Sequence, residues 1–166
     1  GFQLIREADA AGMAGVMLKS HYESTALRAE LINRYSGCKA KAYGGLCLNC
    51  PAGGLNVYAV KNALRAGAKI VWMPTRDAKN SLVFGNMEGD FFDRRGITIL
   101  EQDGTLKECV YDIMDAIKEK DAFLATGHIS PEESLILCRE GSTAISWMEP
   151  NSGASIWVRI SVPVLT

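Results

Sequence analysis

The chain is poor in histidine: only His21 and His128 occur in its 166 residues. It has no surplus of either charge, with 18 Lys and Arg against 19 Asp and Glu. The near-cancellation excludes the basic footprint of a nucleic-acid binder and the acidic excess of a solvating tail. No apolar run approaches the ~18 residues of a membrane span. The N-terminus lacks a basic stretch followed by an apolar one, so no signal peptide is legible. Cysteine is present five times, an odd number at irregular spacing and mostly in apolar surroundings. That usage favours free thiols in a cytoplasmic protein over a disulfide framework.

What is present is a repeated device. Gly15-Val16-Met17-Leu18-Lys19-Ser20-His21 is a short apolar run ending abruptly in polar residues. Such a run reads as a strand buried on both faces, with its polar residues at the carboxyl end. In parallel α/β folds, ligands and reacting groups collect at that end. Ala122 to His128 repeats the pattern, so each histidine closes a strand.

Between the two, the rhythm is regular. Phe2 to Gly12 has helical spacing. Ser24 or Thr25 caps a helix expected to turn Leu27, Leu31 and Ile32 to one face. A strand from about Lys41 to Leu48 ends at Asn49, and Gly53-Gly54 turns the chain. Asn56 caps a helix carrying Val57, Val60, Ala63 and Leu64, and a strand from Lys69 to Met73 ends at Pro74-Thr75. Strand ends at His21, Asn49 and Thr75 recur at a little under ~30 residues, the size of a βα unit. The pattern predicts a parallel α/β sheet or barrel.

Residues 76–106 break the rhythm as an insertion with the exposed-looking aromatics Phe84, Phe91 and Phe92. It closes in a hairpin about Asp103-Gly104, and reads as a substrate loop or as a plain surface insertion. A helix from Lys107 to Lys120 and the His128 strand follow. Ser130-Pro131-Glu132-Glu133 is a capping box, which assigns both glutamates to the helix start. Thr143 to Met148 reads as a further strand. The barrel-like unit thus covers 1–150. The β-prone tail 151–166 has no helix before it and breaks the alternation.

The residue types at the strand ends point to chemistry. Neutral imidazole is a metal ligand and a general base near neutral pH. Lys19 lies two residues before His21, so both can point to one side of an extended segment. It could hold an anionic substrate group, act as a base, or ligate a metal when carboxylated. Asp77 and Glu149 follow other strand ends and could complete a ligand set, although either alone reads more readily as a solvated loop carboxylate. Cys47 and Cys50 have C-x-x-C spacing, but Cys47 is inside a strand and Pro51 follows Cys50, which argues against a redox pair. Gly53-Gly54 before a helix is a weak phosphate-cradle signal.

Ala10-Ala11-Gly12-Met13 leading into Val16 to His21, then Gly44 to Asn49, Gly53 to Asn56, Val71 to Thr75 and Ala125 to His128 together resemble a poorly characterised branch of amidohydrolase-related, metal-dependent hydrolases. The likeness runs from about Phe2 to Gly141. It implies a TIM-type (β/α) barrel with a divalent metal at its carboxyl face, zinc first, with manganese or iron as alternatives. The substrate would be a small molecule, and metal-activated water would attack a carbonyl, amide or phosphoryl centre. His21 and His128 would bind or border the metal. Lys19 would be a carboxylated ligand or an electrostatic partner of substrate, with Asp77 beside it.

The chain departs from that branch in three places. It has no His-x-His pair, no histidine in Asp77-Ala78-Lys79-Asn80-Ser81, and Trp147-Met148-Glu149-Pro150 where Thr-His-Pro is usual. The resemblance therefore implies a partial barrel without the first strand and with an altered C-terminus, and reduced activity. A full barrel takes about 250 residues. A partial one leaves two sheet edges to cover, which favours homo-oligomers. The alternatives are a metal-free α/β ligand-binding or scaffold domain, and an open doubly wound sheet holding a phosphorylated ligand at Gly53-Gly54.

Overall fold

The computed structural model describes residues 1–84 and 96–141, together with the backbone of two strands, Ile145–Trp147 and Trp157–Ile160. Phe91, Phe92 and Glu149 lie outside the described residues. The fold is mixed α/β. Helix α1 (Phe2–Ala10) leads to β1 (Gly15–Met17), then α2 (Ala26–Tyr35), β2 (Lys41–Tyr43) and β3 (Gly45–Cys47). A 3-10 turn at Cys50–Ala52 precedes α3 (Val57–Arg65) and β4 (Ile70–Trp72). The short α4 (Lys79–Phe84), α5 (Glu108–Glu119), β5 (Phe123–Ala125), α6 (Pro131–Gly141), β6 (Ile145–Trp147) and β7 (Trp157–Ile160) follow.

Strands β1 and β2 pair in parallel, and β3, β4 and β5 form a parallel ladder. The two ladders run into each other through Gly44, which joins β2 to β3. Gly44 interrupts the strand because it lies against the start of α2. A Cβ there would meet Thr25 and the Ala26 backbone. Side chains fill in where the ladders change over. The amide of Asn33 exchanges two 2.8 Å bonds with the Ala42 backbone, as a neighbouring strand would. The Thr25 hydroxyl donates to the Leu18 carbonyl and accepts from the Gly45 N–H, both at 2.8 Å. Thr25 is thus a buried link between β1 and β3, and its side chain does not cap α2.

The β-prone run after Pro150 supplies β7, which pairs antiparallel with β5 and carries β6 on its far side. Among the described residues the sheet does not close on itself: β1 and β6 have one partner each. The expected hairpin about Asp103-Gly104 is present in short form: Leu100 and Leu106 bridge antiparallel, the Glu101 N–H donates to the Thr105 carbonyl and the Lys107 N–H to the Ile99 carbonyl. Ile97 bridges in parallel to Ala78. No helix among the described residues is long and apolar enough to cross a membrane.

The helices gather on one face. Leu46, Val71 and Leu124 pack against Val60 and Leu64 of α3, Val110, Ile113 and Ile117 of α5, and Leu137 of α6. Leu18 and Ala42 pack against Ile5 of α1 and Ile32 of α2. The opposite side carries a separate cluster of strand residues only: Met17, Cys47, Ile70, Trp72, Phe123 and Ala125. Helix formation follows local signals. The Asn56 side chain accepts the Tyr58 and Ala59 N–H groups at the start of α3, an N-cap worth about 1 kcal/mol.

One expected face is reversed. α2 buries Ala26, Ala29 and Ile32, while Leu27 and Leu31 stand 66% and 54% exposed. The alanines win because β2 and Gly44 approach too closely for leucine. Ile32→Ala is therefore expected to cost about 2–4 kcal/mol, and Leu31→Ala less than about 0.5 kcal/mol. Urea unfolding of the two variants checks the assignment, and equal losses would reverse it.

Candidate functional site at the carboxyl ends of the strands

The carboxyl ends of β1, β3 and β4 are tied together by one buried amide. Asn49, fully buried, follows β3 by two residues. Its Oδ1 accepts the Thr75 N–H at 2.8 Å, and its Nδ2 donates to Thr75 Oγ1 at 2.8 Å and to the His21 carbonyl at 3.2 Å. Thr75, also fully buried, then shares a 2.9 Å hydrogen bond with His21 Nδ1. A backbone turn would leave the His21 ring free to rotate. Here a hydroxyl fixed at two atoms by Asn49 holds it. Fixing one ring nitrogen sets which nitrogen carries the proton and where the other is aimed.

The Thr75 hydroxyl has a second neighbour, Cys47 of β3, whose ionised form it favours. Burial pushes the Cys47 thiol up to about 11, against smaller opposing effects of the Lys19 charge and the Thr75 hydroxyl. Cys47 is therefore a neutral thiol at physiological pH and not a nucleophile. All five cysteines are free.

Lys19 is exposed, and its Nζ stands 5.4 Å from the centre of the Trp72 ring. A cation over an indole face is held by about 0.5–1 kcal/mol at an exposed site. Trp72 is itself 3% exposed and belongs to the helix-free cluster. Lys19 thus joins His21, Thr75 and Cys47 at one end of that face. Arg76 donates through Nη1 to the Tyr22 hydroxyl at 2.7 Å, a second tie between the β1 and β4 ends.

Two sequence expectations change here. Asp77 is not a solvated loop carboxylate. It is fully buried, and its Oδ2 accepts the Cys50 N–H at 2.7 Å, pinning the 3-10 turn to the end of β4. Gly53-Gly54 offers no phosphate cradle, because the Gly53 N–H goes to the Cys50 carbonyl and the Gly54 N–H to the Asn49 carbonyl.

His128 follows β5, and its backbone N–H donates to the Pro74 carbonyl at 2.9 Å. The strands of the two histidines are not neighbours; β3 and β4 lie between them. Among the described residues no three His, Cys, Asp or Glu side chains come together as a metal site. Glu133 keeps its capping-box role, exchanging bonds with Ser130. It also accepts the Thr98 hydroxyl at 2.6 Å and the Ile99 N–H at 3.0 Å, so it anchors the end of the insertion.

Asn49 and Thr75 are the residues that sequence reasoning passed over. Each is visible as a polar residue closing an apolar run, but nothing local says that the two meet. Thr75→Val removes the hydroxyl that Asn49 and His21 share. It is expected to cost about 1–3 kcal/mol in urea unfolding and to return the His21 ring to a mixture of tautomers in its nitrogen NMR shifts. Unchanged His21 shifts would show that Thr75 does not orient the ring.

A second expectation concerns pH. The unfolded Cys47 ionises near its ordinary value of 9.0 and the folded one only near about 11. The neutral thiol is favoured in the folded state, so its contribution is complete below pH 9 and is lost as pH rises towards 11. Cys47→Ala should flatten the fall in stability across that window, measured as denaturation midpoint against pH. An identical fall in both proteins would mean that Cys47 is not shielded from water.

A family model described as a family of unknown function (DUF6282) matches residues 1–146. Neither the search of curated proteins nor that of solved structures returned a match. With 146 of its 166 residues covered, the chain belongs to the DUF6282 family.

Proposed function

We propose that the chain is a small-molecule hydrolase domain of the (β/α) barrel type, with its reacting groups at the carboxyl ends of β1, β3 and β4. The observation that carries this is the His21–Thr75–Asn49 relay, which orients an imidazole at a strand end. Strand order and helix placement support the barrel part. Within each ladder consecutive parallel strands are neighbours, and the helices pack on one face of the sheet. A doubly wound sheet reverses its strand order at a switch point and has helices on both faces. The amidohydrolase resemblance supports hydrolysis, and five free thiols support a cytoplasmic setting.

That resemblance also brings a divalent metal, with His21 and His128 as ligands. The described residues do not complete such a site: they supply two imidazoles on non-neighbouring strands, where a catalytic zinc normally takes three protein ligands. The chemistry is therefore assigned to the chain's own groups. His21, oriented by Thr75, would take the proton from an attacking water. Lys19 would face the negative charge that develops at a carbonyl, amide or phosphoryl centre. Asp77 would act at one remove, by holding the turn after Asn49. The same shortage of ligands favours, as a second reading, a metal-free domain that binds a small molecule without turning it over.

The test is hydrolysis of a panel of small esters, amides and phosphomonoesters, with metal content measured on the same samples. Turnover that falls at least ~100-fold in His21→Ala is expected. Near-stoichiometric zinc, manganese or iron lost in both His21→Ala and His128→Ala would restore the metal-dependent form. A folded protein with neither metal nor turnover would leave the binding-domain reading.

A further inference from the structure

We propose that the strand-end site takes an anionic small molecule, one bearing a carboxylate or a phosphate, and that Lys19 is the residue that recognises the anion. The proposal rests on the site location given above, but not on hydrolysis. Its starting point is that the Lys19 ammonium has no carboxylate partner among the described residues, although the chain carries more acidic than basic groups. The strand-end acid Asp77 is buried and engaged with the Cys50 N–H, and no ion pair joins it to Lys19 among the described residues.

Lys19 is also not a wandering surface lysine. Its Nζ lies 5.4 Å from the centre of the Trp72 ring, and its charge is felt at Cys47. The ammonium therefore acts at the same strand end as Cys47 and Thr75. Trp72 is buried and belongs to a cluster of strand side chains that no described helix joins. An ammonium held over an aromatic ring keeps its three N–H donors for a ligand, because the ring engages the charge and not a lone pair. Ammonium to carboxylate or phosphate is among the stronger hydrogen bonds available to a protein.

The experiment is a titration of the full chain with inorganic phosphate and, separately, with acetate. Each is run against sodium chloride at equal ionic strength, because exposed charge is screened by salt. The backbone amides of Lys19, His21 and Thr75 and the Trp72 indole N–H are followed by NMR. Saturable shifts at these positions with one anion or both are expected. The arm that saturates at lower concentration distinguishes phosphate from carboxylate. Lys19→Met should weaken that binding by about tenfold or more, while Lys19→Arg should hold it within a few fold. Lys19 is exposed, so both variants should fold. Saturation with neither anion overturns the proposal, as do shifts that persist unchanged in Lys19→Met. Anion binding without turnover would keep this proposal and lose the hydrolase reading. Turnover of neutral esters that depends on His21, with neither anion binding, would do the reverse.

Discussion

A buried side-chain amide must find hydrogen bonds, and Asn49 finds them on two other strands. Its oxygen and nitrogen are both satisfied by the ends of β1 and β4. An amide left unsatisfied in such a place costs about 1–3 kcal/mol, so the three strand ends are held in one arrangement or the fold loses a sizeable part of its stability. Thr75 then has its backbone and its hydroxyl placed by the same partner, and His21 is placed by Thr75. The site is thus an outgrowth of a packing requirement. The polar group that could not be left alone in the core is also the one that aims the imidazole.

The rest of the architecture serves that junction. Thr25 and Asn33 replace missing strand neighbours at the point where β1 stops accompanying the second strand. Asp77 does the same for the turn after Asn49 by accepting the Cys50 N–H. All three are polar residues bonded to backbone groups of another segment, and none faces a partner side chain of opposite charge in those bonds. Short strands explain the need. Strands of three residues make few ladder bonds, so side chains supply the remainder.

Much of the fold was legible because it rests on local chemistry. Glycine, a short apolar run and a polar stop marked β1 and β5. Asn56 marked the start of α3, and Ser130 with Glu133 marked α6. The face of α2 was not legible. Ala26 and Ala29 are weak apolar signals beside Leu27 and Leu31, and only the closeness of Gly44 makes small residues the buried ones. Asp77 read as a loop carboxylate because its acceptor role depends on a turn 27 residues earlier. The candidate site was half legible for the same reason. His21 and Lys19 stand out by residue type, whereas Asn49 and Thr75 acquire their role only when β3 and β4 lie side by side.

The two faces of the sheet then divide the labour. The helix face is covered by apolar side chains from α1, α2, α3, α5 and α6. The other face holds two aromatic residues, a thiol and, at its carboxyl end, a lysine and a histidine. Helices on one face only require that the other be enclosed by the sheet's own curvature or by further chain. A flat surface would leave Trp72 wet, and Trp72 is 3% exposed. The burial of that one ring shows that the helix-free face is covered at Trp72.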